Sequence, residues 1–245
     1  MKVKKVFILM LLLILVIAGI FAYSQKLKVE DDQFVYYIVD TKKQEIILYW
    51  KDNKKNNFKS IQNLKNWVEK DNKRLVFAMN GGMYKQDNSP QGLFIENKRQ
   101  ITPLDTTNGN GNFYLKPNGV FYITMDNLPA ICNASKLSNK LNIKYATQSG
   151  PMLVINGQIH SAFKEGSTNL NIRNGVGILP DNKVVFIMSK SEINFYDFAN
   201  YFKSLGCKNA LYLDGLVSRT YLPEEDWVQT DGNFGVIIGV TTDEQ

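Results

Sequence analysis

The chain has 245 residues, 44% hydrophobic and 12% aromatic, with a formal net charge of +6, enough apolar content for a packed core and too much for a disordered or fibrous chain. Lys2, Lys4 and Lys5 precede an uncharged apolar run from Val6 to Tyr23, and without those three lysines the net charge falls to +3. So mild an excess, spread among acids, excludes a nucleic-acid binder on charge grounds.

Residues 6–23 have the form of a secretory signal or an N-terminal membrane anchor. The run is close to the ~20 residues that span a bilayer. Ala22 offers a weak cleavage point, because Ile20 rather than a small residue lies two positions earlier. Residues 1–25 are therefore set aside as signal peptide or anchor, with both outcomes open. Residues 26–245 are expected to form one exported domain, either anchored to the cell membrane facing outward or secreted or periplasmic, with the lysines on the cytoplasmic side.

Phe34 to Val39 and Glu45 to Trp50, separated by Thr41-Lys42-Lys43, predict an opening hairpin. Ser60 is placed to cap a helix carrying Ile61, Leu64, Trp67 and Val68 on one face. Leu75 to Met79 reads as a buried strand running into Asn80-Gly81-Gly82, and Leu93 to Ile95, Asn112 to Leu115 and Val120 to Met125 continue the strand count. Cys132 to Leu141 predicts a short helix. Tyr145 to Thr147 and Met152 to Ile155 read as a strand broken at Gln148-Ser149-Gly150-Pro151, and Asn156-Gly157 is a two-residue hairpin turn returning through Ile159 and His160. Val176 to Leu179 and Val184 to Met188 flank the turn Pro180-Asp181-Asn182. Asn194 to Leu205, with Phe195, Phe198, Ala199 and Phe202 at helical spacing and Gly206 as a stop, has the best helix pattern. Ala210 to Leu213 delivers Asp214-Gly215, and Gly235 to Val240 is the last strand. Many strands and few, widely separated helices predict an α+β fold: a mixed, largely antiparallel sheet with two or three packed helices. Cys132 and Cys207 are too few for a disulfide scaffold and lack metal spacing, so pairing and two free thiols are both open.

Three of these strands end alike, in a polar residue followed by glycine: Asn80-Gly81-Gly82, Gln148-Ser149-Gly150 and Asp214-Gly215. Strand ends carrying polar groups on tight backbone are where rigid scaffolds present sites. Asp214 is the carboxylate best placed for catalysis, since it follows a buried strand. Arg173, just before a buried run and beside a glycine-rich stretch, has the character of an anion clamp. His160 is the only histidine and fits a satisfied strand-end position better than a catalytic base. No P-loop, dinucleotide fingerprint or zinc-binding cluster is present. A calcium site through Asp87, Asn88 or the 105–112 loop stays open, although the spacing is not that of an EF-hand.

The ensemble of Asn80-Gly81-Gly82-Met83-Tyr84, Gly92-Leu93, Asn112-Phe113-Tyr114, Lys116-Pro117-Asn118-Gly119-Val120, Gln148-Ser149-Gly150-Pro151-Met152-Leu153 with His160, Arg173-Asn174-Gly175-Val176-Gly177 and Leu211-Tyr212-Leu213-Asp214-Gly215 resembles, in order, the phosphodiester glycosidase family. The resemblance spans about Val76 to Val240 and marks the chain as similar to bacterial members. It implies hydrolysis of the bond between an α-linked sugar of the N-acetylglucosamine kind and an esterified phosphate. In that reading Arg173 holds the phosphate and Asp214 stabilises the oxocarbenium or positions water. Asn80, Gly81, Gly82, Gln148, Ser149, Gly150, His160 and Gly215 contact sugar hydroxyls or phosphate oxygens. A second carboxylate, from Asp87, Asp105 or Glu165, is left open. The chain departs from the family pattern at Leu216 and Val217, where small residues are usual, and Arg219 is a further candidate phosphate contact. Two other classes compete: a glycan-binding module without turnover, and a metal-dependent phosphodiesterase cutting the other side of the phosphate.

Overall fold

A computed structural model of the protein describes residues 32–138, 142–214 and 217–243, so the expected signal or anchor lies outside the described residues. Its strands form three sheets. The first holds six strands in the order β1 (Phe34–Val39), β12 (Val184–Ser189), β11 (Asn174–Ile178), β13 (Ala210–Asp214), β9 (Met152–Ile155) and β10 (Gln158–Ile159). The second runs β15 (Trp227–Val228), β14 (Thr220–Leu222), β3 (Lys73–Asn80), β16 (Ile237–Asp243), β2 (Ile46–Tyr49). The third runs β5 (Arg99–Thr102), β4 (Phe94–Glu96), β8 (Ile143–Ser149), β6 (Gly119–Thr124), β7 (Pro129–Asn133).

Alternation along each strand divides side chains between a shared interior and an outer layer. On β12, Val184, Phe186 and Met188 point into the core common to all three sheets, while Val185 and Ile187 face outward. On β3 the alternation slips: Val240 pairs with Phe77 and Thr241 with Leu75, so Val76 is an extra residue and joins Phe77 in the interior.

Among the described residues two α-helices cover outer faces of the sheets. Helix α1 (Ile61–Val68) starts where the Ser60 hydroxyl accepts from the Asn63 amide at 3.2 Å, and it lays Ile61, Leu64 and Val68 over Leu75, Ala78 and Ile237 of the second sheet. Helix α2 (Phe195–Ser204) is capped by Asn194, which accepts from the Asp197 amide at 2.9 Å. It packs Phe198, Ala199 and Phe202 on Leu153, Val154, Val185 and Ile187 of the first sheet. Each buried phenylalanine contributes about 2–3 kcal/mol, so Phe202→Ala alone would cost about 3–5 kcal/mol.

Four expectations are corrected. Every described ladder is antiparallel, and the strands divide among three sheets rather than one mixed sheet. β1 and β2 do not form a hairpin; β1 pairs with β12 and β2 with β16, because Val35 and Val39 enter the core from one sheet and Ile46 and Leu48 from another. The helix expected from Cys132 is instead the end of β7 and a single 3₁₀ turn at Ala134–Lys136, with residues 139–141 outside the described set. Asn112–Tyr114 is a 3₁₀ turn, not a strand. The Asn156-Gly157 turn does join β9 to β10, with φ of 50° and 81°. Cys132, on β7, and Cys207, in the loop between α2 and β13, are free thiols. Among the described residues no helix is long and apolar enough to cross a membrane.

Candidate active site

The Ala-Leu-Tyr-Leu run of β13 is buried on both faces, between β11 and β9, and carries Asp214 to the sheet's end with 6% of its surface exposed. Beside Asp214 the ladder bulges: Asn174 pairs with Asp214 but Gly175 pairs with Tyr212, leaving Leu213 as the extra residue. Side chains take over where the ladder fails. The Asp214 amide donates to Asn174 Oδ1 at 2.9 Å, the Leu213 carbonyl accepts from Ser149 Oγ at 2.7 Å, and the Asp214 carbonyl accepts from Ser218 Oγ at 2.9 Å. Asn174 in turn donates through Nδ2 to Asn80 Oδ1 at 2.8 Å and to the Asn80 carbonyl at 3.1 Å. Asn80 Oδ1 also accepts from the Arg219 amide at 2.9 Å. Segments near residues 80, 149, 174, 214 and 218 thus converge on one carboxylate-bearing strand end. Asn80 and Asn174 are fully buried, and Asn80 Nδ2 has no partner, an orphan donor that costs about 1–3 kcal/mol.

Asp214 opens on a cavity of about 360 Å³ lined also by Met83, Tyr84, Lys85, Gln86, Gln91 and Asn112. Burial, and secondarily the Asp214 carboxylate, raises the Tyr84 phenol above its ordinary pKa. Asp214 is the sole carboxylate among the described residues lining this space, and Lys85 the sole cation. A larger cavity, of about 500 Å³, contains neither.

Arg173 lies behind this cavity rather than on its wall. It is fully buried. Nε donates to the Ile193 carbonyl at 2.8 Å, Nη2 to the Asn169 carbonyl at 2.9 Å and Oδ1 at 3.1 Å, and Nη1 to the Tyr212 hydroxyl at 3.4 Å. Its guanidinium carbon sits 3.6 Å from the centre of the Phe195 ring. Among the described residues its four hydrogen bonds all go to uncharged oxygens. Burial lowers its pKa, opposed by Tyr212. The exposed clamp expected at a strand mouth is enclosed instead, because Phe195 at the start of α2 and Tyr212 on β13 close over it.

His160 is buried and fixed in one tautomer. The Ala162 amide donates to Nδ1 at 3.1 Å, so Nε2 carries the proton and donates to the Lys116 carbonyl at 3.0 Å. Burial lowers its pKa, the bond to Lys116 opposing. Its ring stacks on Phe163 at 4.8 Å, and Phe163 stacks on Phe195 at 4.8 Å, so His160 and Arg173 cap the two ends of one aromatic column.

At Gly81, Gly82 and Gly150 protein fills the side where a Cβ would stand. A Cβ on Gly81 would lie 2.5 Å from Ile238, and one on Gly150 2.7 Å from Asn118. Gly82 combines φ of +148° with a Cβ position 2.6 Å from Thr147 Oγ1. Gln148 accepts from the Leu93 and Asp105 amides, both at 2.9 Å, and donates to the Asp105 carbonyl at 2.6 Å, tying the 93 and 105 segments together. Gly215 and Leu216 lie outside the described residues. Arg219, a candidate phosphate contact, is held in a two-pronged ion pair with Asp231 at 2.7 and 2.9 Å.

Of the other carboxylates, Asp87 accepts from Ser89 and Asp105 from Thr107 and Tyr114 in local turns, and Glu165 is exposed. The Asn88 amide is used on Asn233 and Phe234. Among the described residues no group of three or more His, Cys, Asp or Glu is placed to hold a metal ion. The residues not anticipated are Asn174, Ser218, Tyr212, Tyr84 and Lys85. Asn174 had a signal, an amide opening a buried strand beside the arginine.

The phosphodiester glycosidase family model matches residues 73–239. YigE, an uncharacterized protein of Escherichia coli K12, is 41% identical over 150 residues, 61% of this chain and 59% of that protein, so the chain spans about three fifths of that relative's length. The fold is similar to the catalytic domain of zebrafish N-acetylglucosamine-1-phosphodiester alpha-N-acetylglucosaminidase, auto-inhibited by its pro-peptide (12% identity, TM-score 0.55, 85% of this chain and 88% of that one). It is also similar to a putative exported protein of Burkholderia pseudomallei (8% identity, TM-score 0.54, 84% and 73%) and to a hypothetical protein from Synechocystis (12%, 0.51, 85% and 59%). With the family model matching more than half of the sequence, and with Asn80, Ser149, Asn174 and Asp214 of that region meeting at one strand end, the chain belongs to the phosphodiester glycosidase family.

Proposed function

We propose that the protein is an exported hydrolase that cleaves the bond between the anomeric carbon of an α-linked, N-acetylglucosamine-like sugar and an esterified phosphate in envelope or extracellular glycans. The observation that carries this reading is the strand end at Asp214, whose carboxylate lines one cavity with Lys85 and whose backbone is held by side chains on both sides. An ordinary glycosidase needs two carboxylates, one to protonate an alkoxide leaving group. A phosphate leaving group carries its own charge, with a second pKa of about 6, so a cation can do part of that work.

In this reading Asp214 stabilises positive charge at the anomeric carbon or orients water, and Lys85 receives the departing phosphate. Arg173 contributes a fixed positive charge from behind through Tyr212. Water supplies the hydroxyl that the sugar keeps, and the phosphate leaves with the bonding electrons. Residues 6–23 either anchor the enzyme to the membrane facing outward or are removed on export.

Incubating the purified protein with UDP-N-acetylglucosamine and a panel of glycosyl phosphodiesters in ¹⁸O-water tests this. The expected result is free sugar labelled at the anomeric oxygen, abolished by Asp214→Asn. Label in the phosphate would instead identify a phosphodiesterase, and saturable binding without sugar release a glycan-binding module; either overturns the proposal.

A further inference from the structure

The cavity of about 500 Å³ opens between β2, the edge strand of the second sheet, and the β4–β5 hairpin at the edge of the third. It shares no lining residue with the cavity at Asp214. Half-buried Trp50 and Trp67 give it aromatic walls, with buried Tyr145 behind them and the Lys51 ammonium 4.0 Å from the centre of the Trp50 ring, and Glu96, Arg99 and Lys73 give it polar ones. Glu96 is half-buried, yet among the described residues its carboxylate has no hydrogen-bond partner. Burial, the larger effect, raises its pKa and neighbouring Arg99 lowers it. A partly desolvated carboxylate is a ready acceptor for hydroxyl donors that a ligand would bring. The Arg99 and Lys73 side chains also lack hydrogen-bond partners among the described residues, which leaves donors facing the same space.

The charges lining the groove nearly cancel, three acids against four bases. No strong field is present to select a nucleic acid or another polyanion. Aromatic surface combined with a few convergent polar groups suits a ligand with apolar ring faces and hydroxyl edges. One hydrogen bond joins the groove to the loop that lines the other cavity. Trp50 Nε1 donates to the Asn88 carbonyl at 2.8 Å, and Asn88 belongs to the loop closed by the Tyr84–Pro90 bridge, whose Tyr84, Lys85 and Gln86 line the space beside Asp214.

We infer that this groove is a second saccharide-binding site, which takes a neutral, multiply hydroxylated sugar chain by stacking it on the aromatic walls and hydrogen-bonding it to Glu96 and Arg99. The inference does not depend on turnover at Asp214, and its test reads binding alone.

The chain has three tryptophans, and Trp227 lies outside this groove with its Nε1 already unpartnered. In a Trp227→Phe background the emission of Trp50 and Trp67 reports the groove directly. Titration with chitotetraose and with maltotetraose is expected to give a saturable change with at least one of them. The change should persist when Asp214→Asn is added. It should weaken at least about tenfold, equivalent to about 1.4 kcal/mol, when Glu96→Ala and Arg99→Ala are added together; Glu96→Gln, which keeps the shape, should give a smaller loss in the same direction. Circular dichroism melts confirm that each variant is folded. No saturable response to either tetrasaccharide would overturn the inference. So would a response lost with Asp214→Asn but kept in the Glu96/Arg99 variant, or one given only by an extended peptide adding to the β2 edge.

Discussion

Arg173→Met is expected to destabilise the protein even though methionine can fill much of the space and still lie against Phe195. Three sound hydrogen bonds disappear, to the Ile193 carbonyl at 2.8 Å and to Asn169 at 2.9 and 3.1 Å, together with a longer one to Tyr212 at 3.4 Å. At about 1 kcal/mol each the three contribute about 3 kcal/mol, and a buried carbonyl left without a donor adds about 1–2 kcal/mol. Removing a buried charge that has no carboxylate partner among these contacts offsets part of this. A net loss of roughly 2–4 kcal/mol follows, which lowers Tm by roughly 4–16 °C in a domain of this size. Arg173→Lys should fall between, because an ammonium cannot reproduce the fork that reaches Ile193 and Asn169 together. Thermal unfolding followed by circular dichroism, backed by urea midpoints, measures both. If the methionine variant melts within about 2 °C of the parent, the guanidinium is not a structural tie, and the bonding pattern described above does not govern it in solution.

Asn174→Ala should lower kcat on a glycosyl phosphodiester by about 10²-fold with a smaller change in KM, since misplacing a reacting group by about 1 Å has that effect; steady-state kinetics beside an unchanged far-ultraviolet spectrum will show it. Gly82→Ala, at φ of +148° and 2.6 Å from Thr147, should cost about 1–3 kcal/mol, read from the denaturant midpoint. Burial holds the folded pKa of His160 below the ordinary histidine value of about 6.5, so the unfolded chain binds its proton first. Its contribution to stability is complete above pH 6.5 and is lost as pH falls from there toward the folded pKa. Urea melts between pH 7.5 and 5 should therefore show a slope that His160→Gln reduces. Burial raises the Cys207 thiol to about 12 and the Cys132 thiol by less, so iodoacetamide should label Cys132 slowly in the native protein and Cys207 only after denaturation, as mass spectrometry of the peptides can follow.

The parts of this architecture that local chemistry dictates were readable from the chain. Val184 to Met188 is the unbroken apolar run of a strand buried on both faces, Phe195 to Phe202 repeats as a helix must, and Asn156-Gly157 can do little but turn. Partner choice was not readable. Thr41-Lys42-Lys43 suits a hairpin, yet β1 and β2 part company because the core accepts them from separate sheets. At the site, the strand ends at Asn80, Ser149 and Asp214 were visible as polar steps after apolar runs, but their division of labour was not. Asn174 braces Asp214 across 40 residues and Asn80 across 94, and no local pattern encodes such a bond. The glycines are ambiguous for a related reason: a residue without a side chain permits close approach of a ligand or of the protein itself, and at Gly81 and Gly82 the side where a Cβ would stand is filled by Ile238 and Thr147.

The amide of Asp214 donates to a side chain, Asn174 Oδ1, at the point where the bulge interrupts the ladder. Its exchange with deuterium is therefore governed by whether one buried carboxamide stays in its rotamer, and not by the opening of a strand pair. Followed by NMR, this single proton would report the readiness of the centre independently of global unfolding: accelerated exchange there, with neighbouring amides of the sheet still slow, would mark molecules whose acid has slipped out of alignment while the fold around it remains intact.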